Sequence, residues 1–88
     1  MHTHPERAAR AARELLTTCA RQLAHNRPDW PLNPTRWNEW QAQITDRHPA
    51  IGTAMNAVLT GITITPGMTR GDLATHITRA LHPEGGTR

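Results

Sequence analysis

Arg7, Arg10 and Arg13 recur at every third position, and Arg21 continues the row. In a helix such residues climb one side, so the four guanidiniums would form a ridge. Arg presents a planar fork of donors that matches phosphate oxygens and stacks on bases. A ridge of this kind can follow a nucleic-acid backbone and supply the sequence-independent part of affinity. The competing reading lies in the same stretch. Glu6 stands four residues before Arg10, and Glu14 falls among Arg7, Arg10 and Arg21. A face so interleaved can also be a solvated one that pairs with itself.

The three Trp residues are the only aromatics and all lie within positions 30–40: Trp30, Trp37 and Trp40. Trp can stack on bases or anchor a partner protein. Trp37 and Trp40 share a helical face with Ile44, so core packing is their expected role. Trp30 sits among prolines outside that helix and is the candidate protein-interface residue.

Other chemistry finds little support. His25, His48, His76 and His82 lack the i,i+4 pairing that helical metal sites use, and His2 and His4 lie in a loose end. No metal or other cofactor is expected. Cys19 falls on an apolar helix face, a poor place for a reactive thiolate. With no paired carboxylates, Gly-rich phosphate loop or nucleophile motif, catalysis is not expected.

Four helices must position these residues. Pro5 can open the first, which places Ala8, Ala12, Leu15, Leu16, Cys19 and Leu23 on one face and the Arg ridge opposite. Arg27-Pro28 ends it. Pro28, Pro31 and Pro34 then recur at polyproline II spacing. A PxxP ligand would have this pattern, but a rigid strap with Trp30 and Leu32 packed onto the helices accounts for it better. Asn33 caps a second helix from Pro34 to about Arg47, with Trp37, Trp40, Gln41 and Ile44 on its core face. His48-Pro49 breaks that helix and opens a third, which buries Ile51, Met55, Val58 and Leu59 and is capped by Gly61. Residues 62–65 read as an extended connector unless another chain pairs with them. Thr69 and Asp72 form a capping box for a fourth helix to His82, which buries Leu73, Ile77, Ala80 and Leu81.

A helix-turn-helix is a weak match. The helix after His48-Pro49 offers Thr53, Asn56 and Thr60 outward and no Arg, poor material for major-groove reading. Residues 68–74, MTRGDLA, resemble the start of many such units, but no recognition helix follows them.

Composition bounds the rest. Eighty-eight residues suit one domain spanning 1–88, with 1–4 and 83–88 as flexible ends. The apolar fraction of 36% makes a thin core that suits assemblies. All ten Lys+Arg residues are Arg, and five lie in residues 1–27 against two acids, so the basic excess is at the front. A compositional bias toward Ala, Arg, Gly and Pro would give the same all-Arg pattern. A lone Cys, no leader and no long apolar run point to a cytoplasmic home without membrane contact.

The expectation is an all-α, four-helix domain that is not an enzyme. It would be a small helical subunit of a nucleoprotein assembly, touching nucleic-acid backbone through Arg7, Arg10, Arg13 and Arg21. The alternative is an adaptor or inhibitor that docks on a partner protein through the ridge or Trp30. A homo-oligomer is the third possibility.

Overall fold

Two side-chain caps set the frame of the chain. Asn33 accepts from the Arg36 backbone N–H at 3.2 Å, and Pro34 takes the first helical position, where a missing N–H costs nothing. At Thr69 the capping box closes both ways. The Asp72 backbone N–H donates to Thr69 Oγ1 at 3.1 Å, and the Thr69 N–H donates to Asp72 Oδ2 at 3.0 Å. The protein is represented by a computed structural model that describes residues 5–82. Its helices are α1 (Pro5–His25), α2 (Pro34–Arg47), α3 (Pro49–Leu59) and α4 (Arg70–Leu81). The all-α, four-helix architecture is thus present, with no strand among the described residues.

The core lies where α1, α3 and α4 meet. Leu16, Met55, Leu73 and Ile77 are its fully buried large side chains, with Ala12, Ala20, Leu23 and Leu81 around them. Ala12 and Ala20 let α1 approach its neighbours closely. α1 packs along α4 and α3, and α3 also touches α4. The α2 backbone comes close only to α3: none of its Cα atoms comes within 8 Å of a Cα of α1 or α4, although its Trp37 belongs to the core. The indoles therefore do not form the centre of the core. Trp37 is buried at 9% exposure, and Trp40 stacks on it at 5.3 Å between centroids and is partly buried.

The α2–α3 corner is tight. His48 joins the two helices through its backbone: its N–H donates to Ile44 O at 2.7 Å, and its carbonyl accepts from Gly52 N–H at 2.9 Å. Gly52 is buried against α2. A Cβ there would collide with the Thr45 hydroxyl and come within 2.7 Å of Thr45 Cα.

The connectors pair in an unexpected way. Residues 62–65 form no ladder; the strap instead meets the entry to α4. Pro31 and Thr69 make an antiparallel bridge, the Leu32 N–H donates to Met68 O at 2.9 Å, and the Gly71 N–H donates to Pro28 O at 2.9 Å. Leu32 packs against the core as expected, but Trp30 does not. Nor does Gly61 cap α3 in the left-handed conformation. Ile62 N–H closes a short turn onto Leu59 O, and the left-handed glycine is Gly67, at φ +86 in the Thr65–Met68 turn. The expected mobile ends, 1–4 and 83–88, lie outside the described residues.

Candidate functional site: an open cleft between α1 and α2

Leu15 and Leu16 are neighbours in sequence and so point about 100° apart on α1. Leu16 faces the core with no exposure, whereas Leu15 turns toward α2. The broad apolar face of α1 is therefore two stripes. Ala12, Leu16, Ala20 and Leu23 are buried; Leu15 and Cys19 are half-buried. No Cα of α2 lies within 8 Å of a Cα of α1, and the second stripe lines an open cleft.

The opposite wall comes from α2 and α3. Trp40 and Ile44 project from α2, and Ile51 from the first turn of α3. Ala11, Glu14, Thr18, Gln22 and His48 complete the lining of a space of about 650 Å³, within the range of pockets that bind ligands. At Cys19, Gln22 and Trp40 it continues into a second depression, lined by Trp30, Leu32, Arg36, Trp37 and Arg70. One groove thus runs from the α2–α3 corner to the strap.

The strap fixes the far mouth. Arg27 takes a left-handed backbone at φ +56, unusual for a residue other than Gly, Asn or Asp. Its guanidinium then lies over the Trp30 ring, 4.3 Å from the centroid, a cation–π geometry. Trp30 is 54% exposed, the one large apolar side chain fully at the surface among the described residues. Arg70 donates its Nε–H to Asn26 O at 3.0 Å, which ties the start of α4 to the end of α1. Burial pushes the Cys19 thiol above its ordinary value, and the Arg70 guanidinium pulls it partly back. Arg70 lines the second depression together with Cys19.

The Arg ridge is less uniform than its spacing. Arg7, Arg10 and Arg21 are exposed. Arg13 donates an Nη2–H to Leu81 O at 2.7 Å and so caps the C-terminus of α4. Arg10, Arg13 and Arg21 flank one shallow outer depression with Glu6 and Glu14, while Arg7 lies outside it. The structure brings three of the four together, mixed with carboxylates, and places Trp30 elsewhere.

Among the described residues no three His, Cys, Asp or Glu side chains gather as metal ligands, and His2 and His4 lie outside that range. Thr53 on α3 and Thr60 at its C-cap donate their hydroxyl protons to the carbonyls four residues back. No helix among the described residues is long and apolar enough to cross a membrane. Compared with protein-family models, curated proteins and solved structures, the chain matches none.

The apolar pattern places Leu15, Ile44 and Ile51 against the core, where they are partly buried, and gives no sign that they also line a cleft that leads to Arg36 and Arg70. One signal could have found the cleft. An apolar arc that includes both Leu15 and Leu16 is wider than one neighbouring helix covers.

Proposed function

We propose that this domain is a non-catalytic protein-binding module that docks through the α1–α2 cleft. The supporting observation is the groove itself: partly buried Leu15, Trp40, Ile44 and Ile51 line it, with exposed Trp30 at one end. Contiguous apolar surface rimmed by polar residues is what interaction sites offer, and Trp and Arg are the residues most often found at interface hot spots. The groove holds no paired carboxylates and no thiol of lowered pKa, so binding suits it better than turnover.

The test is purification of the tagged protein from source cells after nuclease treatment, with Ile44→Glu in parallel. The reading expects a nuclease-resistant complex of fixed stoichiometry by light scattering, absent for Ile44→Glu. Loss of all partners on nuclease treatment would contradict it.

Exposed Arg7, Arg10 and Arg21 favour a second reading, contact with nucleic-acid backbone. It ranks lower because Arg13 is engaged by α4 and because Glu6 and Glu14 share that face. Fluorescence anisotropy with labelled DNA and RNA decides it. Salt-sensitive binding lost in the Arg7, Arg10, Arg21→Ala variant supports this reading, and no binding at low salt removes it.

A further inference from the structure

We propose that the occupant of the cleft is an amphipathic α-helix of a partner protein, about three turns long, with a carboxylate at the end that meets Arg36 and Arg70. This inference rests on the docking reading above and adds the chemistry of the partner.

The walls argue for a helix. Over the first depression they are built from α1, α2 and the first turn of α3, which are helical segments rather than extended chain. They present no unpaired strand edge against which an extended peptide could add main-chain hydrogen bonds. A segment entering this apolar groove must therefore satisfy its own backbone, which a helix does. Length agrees. The cleft follows α1 from Ala11 to Gln22, a rise of about 17 Å, or three turns, at 1.5 Å per residue. Anchors at helical spacing would then meet Ile51, Ile44 and Trp40 in succession.

The charge at the strap end sets the polarity. Arg36 and Arg70 line that mouth, and no Asp or Glu lines it with them. The opposite end carries Glu14. A carboxylate on the incoming helix gains at the first end, whereas an ammonium there is repelled. The segments MHTH and PEGGTR suit the groove badly, since Met1 is their sole long apolar side chain.

The experiment uses the whole chain and synthetic helix-forming peptides of about fourteen residues with leucines on one face. One pair carries two glutamates, at the N-terminal or at the C-terminal end. A second pair carries lysines there, and a third has a central proline. Trp fluorescence and amide NMR shifts report binding. We expect one glutamate peptide to bind about tenfold more tightly than its lysine counterpart, with shifts at Leu15, Trp40 and Ile44. Arg36→Glu should reverse the preference, and the proline peptides should not bind. Equal binding of glutamate and lysine peptides, or of proline peptides, overturns the proposal. So does a peptide-free dimer by light scattering that Ile44→Glu dissociates, which would make a second copy the occupant. Leu15→Gln replaces Ile44→Glu if that variant fails to fold. If no peptide binds while the nuclease-resistant complex is still lost in the cleft variant, the helix inference falls and the docking reading stands. If the complex survives the cleft variant, both fall.

Discussion

Arg13 illustrates how a residue's spacing and its engagement can point to different roles. Its position in the row Arg7, Arg10, Arg13 suggests a phosphate contact, but its guanidinium reaches 68 positions along the chain to the last carbonyl of α4. Arg13→Ala should lower stability by about 1 kcal/mol, the usual net worth of such a hydrogen bond, and leave partner affinity unchanged; thermal melts beside a binding titration check both. Thr69→Ala removes a cap and should cost about 1 kcal/mol, a fall of roughly 4–8 °C in Tm for a domain this small. Asp72 adds a pH dependence. Its hydrogen bonds from Thr69 hold its carboxyl below the ordinary value of 3.8. Its contribution is therefore present above that value and lost as pH falls through the lower, folded-state pKa. The Tm difference between wild type and Asp72→Ala should narrow on acidification below the ordinary carboxylate range; a constant difference would contradict the assignment. The capping box was legible because it is local chemistry, three residues apart. Arg13's partner was not, because a contact between distant positions leaves no mark in periodicity.

The helices themselves could be read closely. Pro5, Asn33-Pro34, His48-Pro49 and Thr69 start each of them as the cap and proline rules predict. Their assembly could not be read, because it turns on how near helices may come. Gly52 looks like an ordinary break in the pattern of α3, yet it is where α3 lies directly on Thr45. Gly52→Ala should destabilise the corner by about 1–3 kcal/mol, the usual cost of overpacking. Thr45→Ala should not restore it fully, because the Thr45 Cα is also within 2.7 Å of the added carbon. Denaturant melts of the two single variants and the double test this; full rescue would show that only the Thr45 side chain is in the way. The same corner directs α2 onto α3, and Trp40 and Ile44 line the cleft while packing against the edge of the core.

For the molecule as a whole, four helices share one core, to which α2 contributes Trp37 while its backbone comes close only to α3. The resulting groove joins apolar walls to an arginine-lined mouth beside Trp30. Trp30→Ala should change stability little, since the side chain is 54% exposed, yet weaken partner binding by about 2 kcal/mol if it is an interface anchor. Melting curves and titration calorimetry would separate the two effects. The sequence displayed the raw material of this surface, namely the Trp residues and the strap, as core-packing pieces, and Trp37, Trp40 and Leu32 do pack in or against the core. Side chains on one apolar face look alike whether a neighbour covers them or not, and only the placement of α2 tells the two apart.

The central claim is that the α1–α2 cleft, rather than the outer face of α1, contacts the partner. A photo-crosslinking amino acid placed in source cells at position 44, and separately at position 10, tests it most directly. The claim predicts that position 44 crosslinks to one protein species, in a nuclease-insensitive band, while position 10 does not. Crosslinks to nucleic acid from position 10, with none from position 44, would contradict it and return the arginine face to first place.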